Sequence, residues 1–238
     1  MIMNLNYLKT TYSSKRAPQS NYPNQFVNYL INRFNIQKGD LFLEIGCGRG
    51  DFLQEFSNAG MKCSGIDLDP DAQNHSPSID IKLVDITKDL FPFEDNTFDI
   101  IYHKSVIEHV YSPIHLMKES LRVLKPGGKL IILTPDWVSQ MKVFYEDITH
   151  CRPYDISALN DALHMFNMNE IHVEKFRQLP ILWNNHFLTL LAKLLSLLIG
   201  TLTGRKMTKV TGIKFFRWSV ELMILGYGEK KLANKYDY

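Results

Sequence analysis

The stretch LFLEIGCGRGDF, residues 41–52, decides the fold. Residues 41–45 form a short apolar run with one charge, Glu44, which reads as a strand buried on both faces. Gly46, Gly48 and Gly50 stop it, and Asp51 opens a helix over 51–60 that Gly60 closes. A strand, a glycine turn and a helix start bring backbone N–H groups together, where a ligand can approach the main chain. The dinucleotide fingerprint G-x-G-x-x-G would need glycine at 51, and the chain has Asp51 there. A second acid, Asp67, ends the next apolar run about 20 residues on, where a carboxylate can take both hydroxyls of a ribose. The pattern points to a nucleoside ligand without choosing which. Its alternative is a tight βα turn that binds nothing.

Outward from this stretch, apolar runs alternate with helical spacing. QFVNYLINRF (25–34) is periodic as a helix and ends before the turn QKGD. KCSGIDLD (62–69), IKLVDI (81–86) and FDIIYHKS (98–105) read as strands, and KPGGKLIILTPD (125–136) as a turn and a fifth strand. SPIHLMKESLRVL (112–124) reads as a helix with Ser112 as cap and Pro113 in its first turn. The alternation implies right-handed βαβ units and an α/β, doubly wound, three-layer fold. A helix (155–166), a strand-like run (170–179), a long apolar segment and a strand-like run (217–231) follow.

A chain of 238 residues with 45% hydrophobic content can bury a full core. Its net charge of +2 is unevenly spread. Residues 1–180 hold 18 Lys and Arg against 22 Asp and Glu, whereas residues 181–238 hold 9 against 3. The C-terminal part is chemically distinct. Cys47, Cys63 and Cys151 have neither CxxC spacing nor an even count, which favours a reducing compartment over a disulfide framework or a structural zinc site. The polar N-terminal residues lack the apolar core of a signal peptide, and the expectation is a cytoplasmic protein.

Four stretches in order, LEIGCGRGDF, GIDLDP, FPFEDNTFDIIYHKSVIEHV and LRVLKPGGKLIILTP, resemble the class I S-adenosylmethionine-dependent methyltransferases. The resemblance covers roughly residues 24–180 and implies a Rossmann-like seven-stranded sheet, mostly parallel, with its last strand antiparallel. It implies S-adenosylmethionine as cofactor. Glu44, Gly46, Cys47, Gly48 and Gly50 would hold its methionine part and Asp67 its ribose. Leu68 would flank the adenine, Asp85 and Ile86 would border its other edge, and His103, Lys104 and Ser105 would line the methyl donor. On this reading residues 1–23 are an arm or lid carrying Tyr7, Tyr12 and Lys15. Residues 24–180 are the core, 181–216 a helical insertion, and 217–238 the final strand and tail.

Glu108 and His109, in KSVIEHV, resemble part of the Glu-x-x-Glu-His pattern that binds a divalent metal in ubiquinone-type and small-RNA 2′-O-methyltransferases. The first glutamate position is Ser105 here, so no metal is expected. Glu108 would then pack at a helix start. His109 is the candidate general base, since a neutral imidazole near pH 7 suits removal of a hydroxyl proton. The segment YEDITHCRPYD, 145–155, resembles the D-x-T-H-x-R-P stretch of methyltransferases of surface-glycan biosynthesis. That makes His150 a second catalytic candidate and Tyr145, His150, Arg152 and Tyr154 acceptor-binding candidates, with both tyrosines as sugar-stacking faces. The alternative is a local hydrogen-bonded turn of Asp147, Thr149 and Arg152. His75, His115, His164, His172 and His186 read as surface or packing residues.

FLTLLAKLLSLLIGTL (187–202) is apolar but for Lys193, and the basic GRKMTKVTGIKFFRW follows it. It falls short of the stretch of about 18 apolar residues that a spanning helix needs. Residues 187–217 are either an in-plane membrane anchor or a subdomain over the acceptor site. The expected activity is methylation of a hydroxyl on a sugar or lipid-linked glycan, in the cytoplasm or at the inner membrane face. Its alternatives are methylation of a prenylated quinone or similar lipid, and a cofactor-binding module without turnover. No nucleic acid partner is expected, and the oligomeric state is open.

Overall fold

The computed structural model describes residues 20–232, so the expected lid, with Tyr7, Tyr12 and Lys15, lies outside the described residues. Two compact units result. The first runs to Lys104 and takes in Ser112–Ile131 and the segment from Glu229, and the second is Ser105–Tyr111 with Ile132–Gly228. Seven strands form one sheet: β1 (Leu41–Ile45), β2 (Lys62–Asp67), β3 (Asp80–Leu83), β4 (Phe98–Lys104), β5 (Leu124–Pro135), β6 (Asn169–Phe176) and β7 (Met223–Glu229). Their order is β3-β2-β1-β4-β5-β7-β6. β1 pairs parallel with β2 and β4, and β2 with β3. Gly127 and Gly128 exchange backbone hydrogen bonds with Lys230, while Asp136 N–H bonds the Leu222 carbonyl, so β7 runs antiparallel to β5. The KPGG stretch is therefore part of β5, not a separate turn. The sheet is mixed and the architecture Rossmann-like, as the resemblance implies.

In the first unit, α1 (Tyr22–Phe34) buries Phe26, Val27 and Leu30, and α2 (Asp51–Asn58) buries Leu53 and Phe56. The Phe42 and Phe56 rings stack at 4.0 Å, with Tyr102 at 5.8 Å from Phe56, so the centre of this core is aromatic. The weakly patterned stretch after β2 forms only the one-turn α3 (Ala72–His75). α4 (Ile114–Val123) differs from expectation at its start. Pro113 occupies the cap position and no side-chain cap forms, so Ser112 is not the cap. Arg122 near its end binds Glu119, Asp95 and the carbonyls of Phe91 and Phe93.

In the second unit, Glu108 and His109 lie in a 3-10 turn (Ile107–His109) and not at a helix start. A short α5 (Trp137–Gln140) and a 3-10 turn (Phe144–Glu146) follow β5. Asp155 caps α6 (Ile156–Met165) by accepting the Ala158 N–H. After β6 come α7 (Pro180–Trp183), α8 (His186–Leu198), α9 (Thr201–Thr211) and α10 (Lys214–Val220). The long apolar run is thus two helices bent by 117° at their junction. The run 217–231 is corrected too: its first four residues are helical. Gly212 (φ +73) ends α9 in the left-handed region, and α10 folds back against it at Gly204, where a Cβ would stand 2.6 Å from Val220. Glu221, buried, binds Arg205 of α9 and Arg217 of α10.

Candidate active site

The glycine turn of the first unit has Gly46, Gly48 and Gly50 at φ +68, +53 and +72, where a Cβ is disfavoured. Gly48 N–H donates to Asp67 Oδ2 at 2.7 Å, and Asp69 N–H to Asp67 Oδ1 at 2.8 Å. Each carboxylate oxygen keeps a further lone pair, the capacity needed for two ribose hydroxyls. At Gly50 a Cβ would lie 2.2 Å from Ser76 Oγ, so the turn has no spare room on that side.

Glu44 lies beneath this turn, at the C-terminal part of β1. Burial pushes its carboxyl well above the usual range, Lys104 works against that, and Asp67 adds to it. Its Oε2 is buried and meets no hydrogen-bond partner among the described residues. A buried carboxyl oxygen of this kind can accept from a cationic donor of a ligand, whose charge would favour the ionised form of Glu44. Cys47 is buried, and burial, with Glu44, keeps its thiol protonated. Its sulfur faces Gly65, where a Cβ would approach within 2.9 Å, so Cys47 offers a ligand its backbone and not its sulfur.

Leu68 is half exposed after β2. Asp85 spends Oδ1 on the Thr87 N–H and hydroxyl, at 3.0 and 2.6 Å, and pairs with Lys88 through Oδ2, while Ile86 beside it is partly exposed. His103 and Lys104 end β4. His103 is 1% exposed and burial pulls its ring down to about 3, so it is a neutral core residue and not a lining group. Ser105 has φ +55 and donates its N–H to the Leu133 carbonyl at 2.8 Å.

In the second unit the loop 147–152 is fastened to the 3-10 turn through the backbone. The N–H groups of Cys151 and Arg152 both donate to the Glu108 carbonyl, at 2.9 and 3.0 Å. This places the His150 ring centroid 4.7 Å from that of His109. His150 Nδ1 lies 2.7 Å from the Phe144 carbonyl, which only accepts, so Nδ1 carries the proton. The Thr149 hydroxyl donates to Asp147 at 2.6 Å and so accepts from His109 Nδ1 at 2.9 Å. Both rings are fixed with Nε2 as the nitrogen able to take a proton or a metal. Burial first, then His150, pulls His109 down to about 4. Burial pushes Asp147 upward, but the Thr149 hydrogen bonds prevail and hold it below the usual carboxylate range.

Glu108, fully buried, accepts from the Thr134 hydroxyl through Oε2 at 2.9 Å. Donor atoms of Glu108, His109 and His150 lie within 4.8 Å of one another, a set that could hold a metal ion. The ligand absent at Ser105 is thus matched from the loop after β5. Tyr145 is 57% exposed and remains available to an acceptor. Tyr154 is corrected: it is 2% exposed, forms a bridge with Asp136, and has the exposed Arg152 guanidinium 5.8 Å from its ring. A ring sealed in this way cannot stack a sugar. Two buried residues escape a reading of the sequence, Thr134 and Asp136. Asp136 caps α5 through the Ser139 N–H and has Lys175 at 3.6 Å, and its place at the end of a buried strand was the available signal.

A family profile described as a methyltransferase domain matches residues 19–173, more than half of the chain. The chain belongs to the class I S-adenosylmethionine-dependent methyltransferases. The sterol 4-C-methyltransferase of Caenorhabditis elegans is 30% identical to this methyltransferase over 165 residues, 64% of this chain and 48% of its own length. The chain spans less than half of the first curated relatives it matches, with 39% for a Streptomyces fradiae transposon protein. Among solved structures, an S-adenosylmethionine-dependent methyltransferase from Archaeoglobus fulgidus superposes with a TM-score of 0.63 at 18% identity, over 92% of this chain and 98% of that one. Phosphoethanolamine N-methyltransferase 2 of Haemonchus contortus, in complex with S-adenosylmethionine, gives 0.63 at 15% identity, over 97% of this chain and 60% of that one. These likenesses establish the fold of the methyltransferase.

Proposed function

We propose that this protein transfers the methyl group of S-adenosylmethionine to a hydroxyl oxygen, with the glycine turn and Asp67 as the residues that would hold the cofactor and the His109–His150 pair as the source of the base. The cofactor brings an activated methyl on a positively charged sulfur. Asp67 would receive the ribose hydroxyls, the glycine turn would admit the methionine part, and Glu44 would balance its positive charge. When bound, the cofactor would supply its methyl to the acceptor oxygen, the carbon–sulfur electron pair staying with its sulfur. The hydroxyl proton passes to an imidazole Nε2. Holding donor and acceptor in line supplies much of the rate. The observation that carries the choice of a hydroxyl is the imidazole pair, both rings held as Nδ1–H tautomers.

The acceptor we favour is a sugar or lipid-linked glycan, consistent with exposed Tyr145 and Arg152 flanking His150. A sterol- or quinone-like lipid is the second reading, supported by the sterol methyltransferase relative. A divalent ion on Glu108, His109 and His150 is an alternative way to lower the pKa of the acceptor hydroxyl, supported by the ligand set. Three free cysteines support a cytoplasmic setting, at the inner membrane face if the acceptor is lipid-linked.

Radiolabelled methyl transfer to glycan and to lipid extracts tests the reading, with His109→Ala and His150→Ala alongside. Both variants should bind S-adenosylhomocysteine normally and transfer methyl about 100-fold more slowly. A chelator that abolishes wild-type transfer, restored by added divalent ion, selects the metal form. Cofactor binding with no transfer to either extract would leave only a binding module and sink the proposal.

A further inference from the structure

Phe187, Leu190, Leu191, Leu194, Leu197 and Leu198 recur at helical spacing along α8, and each is between 38% and 82% exposed. A surface helix in water turns such a stripe toward the core. Here the one fully buried residue of α8 is Ala192, and the leucine stripe faces outward. Leu202, Val210 and Ile213 extend the exposed apolar character through α9 and just past it. Large apolar surface of this kind marks a binding face.

The surrounding charge identifies its partner. Between Glu174 and Glu221 the chain has no acidic residue and eight basic ones. Of these, Lys193, Lys206, Lys209 and Lys214 are exposed. A second copy meeting this face would set lysines against lysines. An anionic bilayer offers hydrocarbon to the leucines and negative headgroups to the lysines. No single helix among the described residues is long and apolar enough to cross a membrane, and α8 and α9, which reach that length only together, are bent by 117° at their junction. We propose that α8 and α9 dock this protein in the plane of an anionic lipid surface, with the apolar stripe at the acyl boundary and the lysines among the headgroups.

Vesicle flotation of the full chain tests this, with phosphatidylcholine alone and phosphatidylcholine mixed with phosphatidylglycerol. The protein should float with the anionic vesicles, weakening as salt rises. Leu190→Glu with Leu197→Glu, and separately Lys206→Glu with Lys209→Glu, should each reduce binding by about tenfold or more. These side chains are exposed, so circular dichroism and S-adenosylhomocysteine affinity should match wild type. Three results would overturn the proposal: no flotation with either vesicle, unchanged flotation of the leucine variant, or a wild-type dimer in solution that the leucine variant converts to monomer. The inference stands apart from the methyl-transfer reading. Flotation without transfer leaves it intact, and transfer without flotation removes it alone.

Discussion

His103 is a neutral imidazole because burial strips away the water that would solvate its charged form. Its Nδ1 meets no hydrogen-bond partner among the described residues, so nothing offsets that cost. The folded chain protonates this ring only near about 3, whereas its ordinary value is 6.5. The unfolded chain therefore binds the extra proton first. Stability from this group is complete above 6.5 and declines as pH falls from there toward 3, by about 1.4 kcal/mol per pH unit. Urea midpoints measured across that window should fall with pH, and His103→Gln should flatten the slope by roughly that one-proton contribution. An unchanged slope in the variant would show that His103 is not the group responsible. At this scale Glu44 and Asp67 were legible, because a glycine turn and two strand ends frame them. The meeting of His150 with His109 was not, since it depends on two backbone N–H groups reaching the Glu108 carbonyl, and backbone bonds leave no mark in residue type. Tyr154 misled for the same reason: its bridge to Asp136 buries a ring that composition places at the surface.

The strand–turn–helix of residues 41–58 owes its shape to glycines, and comparing Gly50 with Gly39, in the turn before β1, separates two costs of replacing a glycine at positive φ. Gly39 has φ +90 and nothing within 4 Å of an added Cβ, so Gly39→Ala meets backbone strain alone. Gly50 has φ +72 and Ser76 Oγ 2.2 Å from that position, so Gly50→Ala meets strain and overlap together. Gly39→Ala should cost about 1–2 kcal/mol and leave cofactor affinity intact. Gly50→Ala should cost more and weaken S-adenosylhomocysteine binding, both measurable by urea unfolding and calorimetry. Equal stability losses would mean that Ser76 yields freely. Most strands of the sheet were readable as elements because continuous apolar runs bounded by glycine and acid have few other interpretations. The segment 217–231 was not, because RWSVELMIL suits a helix or a strand equally by periodicity. What settles it is Gly212 ending α9 and the Arg205–Glu221–Arg217 cluster holding α10 against it, contacts set by the fold and not by the run itself.

Across the whole molecule, chemistry is divided between the two units. The glycine turn, Glu44 and Asp67 belong to the first unit, and the histidine pair and the lysine-rich helices belong to the second. Two ligands should therefore leave separate footprints in hydrogen exchange. S-adenosylhomocysteine should slow exchange around residues 44–50 and 67–69, where Gly48 and Asp69 N–H groups bond Asp67. Anionic vesicles should slow exchange in α8 and α9. Binding only the native state also raises stability by mass action, by about 2.7 kcal/mol when free ligand is 100 times its Kd. Asp67→Ala should lose that gain while keeping the vesicle footprint, and Leu190→Glu with Leu197→Glu should do the reverse. If S-adenosylhomocysteine leaves residues 44–50 and 67–69 unprotected while still stabilising the chain, the cofactor lies elsewhere and the assignment of Asp67 fails. If vesicles protect the glycine turn and not α8, the lipid surface meets a different face, and the charge pattern of residues 175–220 needs another partner.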